Sequence, residues 1–237
     1  MTRFLKRLNI LYERLLMLLL NAVFLIAVWC VYDNWYVYKH SDTVSSRLLR
    51  FKPGITAVAA ADDGSPSISE DMVAWLTIDG TDIDYPIMQA GDNIKYLNTD
   101  PFGEYSLAGS IFLDSRNAPD MSDPYSLVYG HHMERGRMFG ALDPFLGEEY
   151  LRSHDSGTLI IGRDAEKTCR LEVFAAMRAD ARSKELFEPD ITGDVLGCIR
   201  GSADIFINER RERILALSTC ADDAMLSRTI VFCYILE

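Results

Sequence analysis

The sequence predicts a mainly β domain behind one membrane-spanning helix, and three observations predict it. From Asp71 onward, short runs rich in β-branched and aromatic residues alternate with turn residues, and helical periodicity is sparse. Before that domain lies one uncharged apolar run, Leu15 to Tyr32, of the length a bilayer core requires. Hydrophobic residues make up 49% of the chain, enough for a substantial core in a single domain plus an appendage. The spacing of the strands does not choose between a barrel and a sandwich.

The N-terminal run is flanked by charge on one side. Arg3, Lys6, Arg7 and Arg14 against Glu13 give the first fourteen residues a net +3, leaving −14 of the total −11 for the remainder. Positive charge ahead of a span keeps that end cytoplasmic, so the rest of the chain is expected outside. Trp29, Tyr32, Trp35 and Tyr36 suit the outer interface. No small-x-small cleavage site follows the run, which favours an uncleaved anchor over a signal peptide. The organisation expected is a basic cytoplasmic tail over 1–14, a transmembrane signal anchor over 15–32, a helical and linker segment over 33–70 and one domain over 71–237. The negative total charge argues against a nucleic-acid partner.

The elements follow in order. Asp33 to Leu49 reads as a polar helix, and Lys52 to Glu70, with Pro53, Gly54 and Asp62-Asp63-Gly64-Ser65-Pro66, as a linker. Ala74 to Ile78 ends at the hairpin signal Asp79-Gly80 and returns over Ile83 to Met88, where Pro86 argues for an edge or bulge. Asn93 to Leu97 reads as a short helix, and Gly109 to Leu113 and Leu127 to Tyr129 as strands. Met138 to Leu151 has helix-like spacing whose start Pro144 limits. Thr158 to Ile161 and Cys169 to Met177 are strands around the turn Arg163-Asp164. Asp190 to Ile199 is a short helix with Thr192 near its start.

Two further runs carry the chemistry. Ile214 to Cys220 and Leu226 to Phe232 are apolar, strand-like and joined by a short polar loop. If the strands are neighbours, the Cys220 thiol and the Arg228 guanidinium reach one rim of the sheet. A nearby cation favours the reactive thiolate, and a fixed guanidinium can stabilise an oxyanion. Ser126 to Met133 is another strand-like run that ends in Gly130, His131 and His132. Histidine is the usual proton carrier near neutral pH, and a Cys with a His elsewhere in the chain is a candidate nucleophile pair. The alternative for Cys220 is a buried structural thiol.

The motifs Leu217-Ser218-Thr219-Cys220 and Tyr129-Gly130-His131-His132-Met133, the latter with Met138-Phe139 and Leu142, resemble the nucleophile and histidine segments of the class B sortases. Asp84-Tyr85-Pro86-Ile87-Met88-Gln89, Lys95-Tyr96-Leu97 and Gly109 to Asp114 resemble that family in the same order. The likeness runs from about Val73 to the C-terminus, with Ala216 standing where the nucleophile motif often carries Thr. It implies a closed eight-stranded β-barrel with added helices. It also implies a cysteine transpeptidase that cleaves a sorting signal at a Thr–X bond, forms a thioester and passes the surface protein to a cell-wall precursor or peptidoglycan amine. His131, taken because it directly follows Gly130, Cys220 and Arg228 are then the catalytic residues. Ser218, Thr219, Leu97, Asn98 and Tyr129 are candidates for contact with substrate. The implied partners are a sorting-signal peptide, a wall amine and the membrane.

Other chemistries are less well supported. His131, His132, His154 and Cys169 lack metal-ligand spacing, no phosphate-binding glycine loop is present, and no cofactor is expected. Asp222-Asp223 reads as a solvated turn, and Arg210, Arg211 and Arg213 as a solvated basic loop. Cys169, Cys198 and Cys233 are expected as buried thiols, with a disulfide-linked, non-enzymatic binding module as the alternative.

Overall fold

A computed structural model describes residues 2–54, 67–188, 194–219 and 227–237. The chain forms two compact units, Met1–Thr43 and Val44–Glu237. The first unit is the N-terminal part of α1 (Thr2–Leu48), so the expected anchor and the polar helix after it are one continuous helix. Its stretch Arg3–Asp33 is long and apolar enough to cross a membrane, and its side chains are exposed. Asn21, the polar interruption, donates its side-chain amide to the Met17 carbonyl one turn back at 2.8 Å. That local bond satisfies the amide donor within the apolar stretch itself.

The second unit is a barrel. Its strands are β1 (Met72–Ile78), β2 (Asp84–Met88), β3 (Ile111–Leu113), β4 (Tyr125–Gly130), the small β5 (His132–Met133) and β6 (Arg137–Met138), then β7 (Ser156–Ile161), β8 (Lys167–Asp180), β9 (Ile205–Phe206), β10 (Arg213–Thr219) and β11 (Ser227–Leu236). The sheet runs β11-β10-β4-β3-β2-β1-β7-β8 and closes because β8 also pairs with β11. The long β8 allows this: Lys167 to Glu172 face β7, and Arg170 to Asp180 face β11. Closure leaves these eight strands no open edge, which disposes of the aggregation hazard of apolar strands. β9 adds a short ladder on β8 at Ala175 and Ala176. β5 and β6 form a separate hairpin.

The core is aromatic at its centre. Phe174 stacks on Tyr234 with centroids 3.8 Å apart and meets Phe206 edge-on. Trp75 is fully buried, and its indole N–H donates to Asp84 at 2.7 Å. Asp84 also accepts from Lys52 and Thr77, so the chain after α1 is tied to the barrel wall. Leu48, at the end of the expected polar helix, and Ile68, inside the expected linker, are both buried in this unit. Residues 55–66 of that segment lie outside the described residues.

Several expectations are corrected. β2 is an interior strand and not an edge, while the alternative of a bulge is met next to Pro86, where the register with β1 shifts between Met72 and Ala74. Pro86 is tolerated because it faces Trp75 of β1, while the ladder with β3 starts one residue later, at Ile87. Asn93 to Leu97 shortens to a 3-10 turn over Lys95–Leu97. Met138 to Leu151 is a 3-10 helix over Phe139–Leu146, with Pro144 inside it, followed by α2 (Glu148–Ser153). α3 (Lys184–Phe187) and β9 had no clear sequence signal. α4 (Val195–Ser202) starts later than expected, because the Asp194 carboxylate caps it by accepting from the Gly197 N–H at 2.8 Å. Thr192 lies outside the described residues. The basic cluster is partly structural: Arg210 pairs with Glu172 and Arg213 with Glu237.

Gly140 lets the Phe139–Leu146 helix dock. A Cβ there would lie 1.9 Å from the Met133 carbonyl oxygen. Gly140→Ala is expected to cost about 1–3 kcal/mol, the range for overpacking, since the obstacle is backbone. A lowered thermal midpoint in calorimetry of the full chain in detergent checks this; an unchanged midpoint would show that the helix is free to shift.

Candidate active site

Three strand ends converge at one rim of the barrel. β4 and β10 run parallel, with Ser218 opposite Tyr129 and Thr219 opposite Gly130. The residues that follow these pairs in the chain are Cys220 and His131. β11 returns antiparallel to β10, and the Thr229 N–H donates to Thr219 Oγ1 at 3.1 Å, one residue after Arg228. The 89-residue separation of His131 from Cys220 is thus bridged by a single ladder. Cys220, Asp222 and Asp223 lie outside the described residues.

His131 is half-buried, and its Nε2–H donates to the Leu97 carbonyl at 2.6 Å. A carbonyl can only accept, so this bond places a proton on Nε2 and leaves Nδ1 as the nitrogen for proton exchange. The Leu97 carbonyl is backed by Gly109, at φ +58°, whose missing Cβ would stand 2.5 Å from that oxygen. The ring is therefore oriented by backbone, and only glycine fits behind it. The His131 carbonyl accepts from the Phe139 N–H at 3.0 Å, which fixes the chain on the other side of the residue.

Arg228 lies between aromatic faces. Its Cζ is 4.6 Å from the Phe187 ring centroid and 5.8 Å from that of Tyr129. Its Nε is buried without a hydrogen-bond partner among the described residues. Among those residues no carboxylate pairs with it either. Ring faces can hold a cation while leaving its N–H donors uncommitted.

Both rings are held by one carboxylate–guanidinium pair that the sequence did not single out. Asp114 is fully buried and receives Arg116 through Nε at 2.9 Å and a terminal nitrogen at 2.8 Å. The Tyr129 hydroxyl donates to Asp114 at 3.2 Å, and Arg116 also donates to the Phe187 carbonyl at 2.8 Å. Asn93 adds a bond to Asp114 at 3.0 Å. Burial alone would raise the Asp114 pKa, but the hydrogen bonds from Arg116 and Asn93 together hold it below the usual carboxylate range. Burial, and then the neighbouring carboxylate, pushes the Tyr129 pKa up, so the phenol stays a donor. Asp114 belongs to the quoted stretch ending Phe112-Leu113-Asp114, but nothing in its spacing links it to residues 129 or 187.

The other expected site residues separate by exposure. Asn98 is exposed, and its backbone carbonyl accepts from the Ser106 N–H at 3.0 Å. Leu97 is half-buried, and Thr219 and Tyr129 are buried. Ser218 is fully buried in β10 and donates its hydroxyl to the Thr219 carbonyl at 3.1 Å. Tyr96 belongs to the core, its hydroxyl bonded to Asp71 at 2.7 Å. His132 is exposed and bonded to Asp143 at 2.7 Å.

Comparison with known proteins gives this arrangement a family. The Sortase domain model matches residues 76–235. The chain belongs to the sortase family. A curated sortase B of Listeria monocytogenes is 31% identical over 219 residues, which cover 86% of this chain and 88% of that protein. A crystal structure of a Streptococcus pyogenes class B sortase involved in pilus biogenesis is 37% identical, with a TM-score of 0.64 over 71% of this chain and 94% of that one. The Staphylococcus aureus sortase B–substrate complex is 28% identical, with a TM-score of 0.65 over 72% and 82%. The sortase described here is thus of class B, an eight-stranded barrel enzyme and a cysteine transpeptidase that anchors surface proteins.

Its described cysteines carry no disulfide. Cys169 and Cys233 are buried, and Cys30 and Cys198 are more open. Burial pushes the Cys233 thiol up to about 12, so little of it is thiolate near neutral pH. An alkylating reagent added to the native sortase is expected to modify Cys220 while Cys169 and Cys233 react only after denaturation. Peptide mapping by mass spectrometry checks this. Protection of Cys220 that disulfide reduction relieves would contradict the nucleophile assignment.

Proposed function

We propose that Cys220 attacks the carbonyl of a Thr–X bond in a sorting signal, that Arg228 stabilises the tetrahedral oxyanion, and that His131 protonates the leaving amine. The C–N bond breaks, the Thr acyl group remains on sulfur as a thioester, and an amine then displaces the thiol. The amine belongs to a cell-wall precursor or peptidoglycan peptide. The observation that carries this reading is the ladder Thr219–Gly130, because it sets residues 220 and 131 one step beyond paired positions. The Nδ1 of His131, which has no hydrogen-bond partner among the described residues, supports the proton-transfer role, and the Arg228 cation held by rings supports the oxyanion role.

Leu97, Asn98, Thr219 and Tyr129 border the groove for the signal peptide, with Ser218 supporting Thr219 from the barrel wall. Residues 15–32 act as the anchor, residues 1–14 remain cytoplasmic, and the catalytic domain from about residue 71 faces outward, with 33–70 as the connecting segment. The basic N-terminal flank and the apolar, exposed Arg3–Asp33 stretch support that topology.

The test separates charge from geometry at Arg228. Lysine keeps the charge but lacks the planar fork of donors. Losing one oxyanion donor typically costs about 100- to 1000-fold in turnover. Arg228→Lys is expected to lose at least about tenfold in peptide cleavage, less than that full loss because lysine keeps the charge, while Cys220 alkylation proceeds at a similar rate. Near-normal turnover of the Lys variant would refute the directed-donor role. Product analysis completes the test: the wild-type enzyme should give an amine-linked product when an acceptor amine is added, and hydrolysis unaffected by amine would point to a plain cysteine endopeptidase.

A further inference from the structure

Beside each proposed catalytic group stands a neighbour in sequence that enters a second hydrogen-bonded chain. His132 follows His131, Thr229 follows Arg228, and Thr219 precedes Cys220. Asp143 binds His132 and Thr229 directly, and Thr229 in turn binds Thr219. Its Oδ2 accepts from His132 Nε2 at 2.7 Å, its Oδ1 accepts from the Thr229 hydroxyl at 2.8 Å, and the Thr229 N–H donates to Thr219 Oγ1 at 3.1 Å. We propose that Asp143 is a positioning residue, a clamp that holds in register the three chain ends bearing His131, Cys220 and Arg228. The proposal rests on the catalytic assignment given above.

Geometry favours a clamp over a chance surface contact. Successive residues of a strand point to opposite faces, so Thr229 can be fixed on the face away from Arg228. Asp143 sits on the 3-10 helix Phe139–Leu146, and the first N–H of that helix already binds the His131 carbonyl. The helix is therefore rigidly related to His131, and its carboxylate reaches across to β11. Thr229 is 7% exposed, so its bond to Asp143 is shielded on the Thr229 side, unlike an ordinary surface ion pair. The carboxylate uses both oxygens on different chain ends. No core packing explains this, since the Asp143 and His132 side chains are 42% and 40% exposed. A misplacement of about 1 Å between reacting groups can cost on the order of a hundredfold, so such a tie has rate consequences without touching substrate.

The experiment uses the full chain in detergent, with a sorting-signal peptide and an acceptor amine. Thr229→Val keeps the shape and removes the hydroxyl; Thr229→Ser restores it. Asp143→Ala removes the clamp; Asp143→Asn retains its shape and an acceptor for Thr229. Thr229→Val and Asp143→Ala are each expected to lower kcat about tenfold with KM within about twofold and little change in thermal midpoint. Their double variant should be no worse than either single one, because coupled residues are non-additive. Thr229→Ser and Asp143→Asn should return to within about threefold of wild type. Full turnover in both Thr229→Val and Asp143→Ala, losses that multiply in the double variant, or no recovery with Ser would overturn the clamp. Cys220→Ala keeps the two questions apart. If that variant is inactive while Thr229→Val and Asp143→Ala both turn over normally, the clamp alone is wrong; if Cys220→Ala still cleaves, the catalytic assignment falls and the clamp with it.

Discussion

The parallel ladder between β4 and β10 is the constraint on which the rest of the site depends. Parallel strands require a long crossover, and here the crossover contains the β5–β6 hairpin, the Phe139–Leu146 helix, β7, β8 and α4. The path of that crossover must return the chain so that Gly130 meets Thr219. A slip of one residue would turn Thr219 and Gly130 to opposite faces and move His131 and Cys220 out of step. Barrel closure guards against such a slip, because β10 is fixed on its far side by six paired positions with β11, and β11 is fixed in turn by β8.

Around that ladder the protein orients side chains mainly through backbone and neutral contacts. A carbonyl holds the His131 ring, and a glycine backs the carbonyl. Two aromatic faces hold Arg228. The formal charge that organises the rim, the Asp114–Arg116 pair, sits behind those rings. The consequence is electrostatic: opposite charge beside Arg228 would consume the donors proposed for the oxyanion, whereas a ring face does not. The low Asp114 pKa also gives the sign of its pH effect. A carboxylate with a depressed folded pKa contributes stability above its unfolded pKa, near 4, and loses it as pH falls through the lower folded value.

Much of this was legible in the sequence. The runs ending at Thr219 and Gly130 and the run from Ser227 are apolar and β-branched, so their strand character follows from composition. Their pairing does not follow, and it was the motif resemblance that chose the barrel. Pro86 misled because a proline in a strand usually marks an edge, yet here the neighbouring ladder starts one residue beyond it. Pro144 misled because a 3-10 helix tolerates what an α-helix interior does not. Asp194 took the cap because its carboxylate reaches the Gly197 N–H. Asp114 and Asp143 were missed for another reason: their bonds to Tyr129 and to Thr229 cross 15 and 86 residues of sequence and join strands that only the barrel brings near.

The chemistry reduces to one covalent bond on one sulfur, and trapping it is the direct test. The sortase is mixed with a sorting-signal peptide in the absence of an acceptor amine, quenched in acid within the first turnovers, digested and mapped by mass spectrometry. The account predicts an acyl adduct ending in Thr on Cys220, released by added amine as a new amide, and no adduct on Cys169, Cys198 or Cys233. Peptide cleavage without any acyl adduct on Cys220, or an adduct on a different residue, would contradict it.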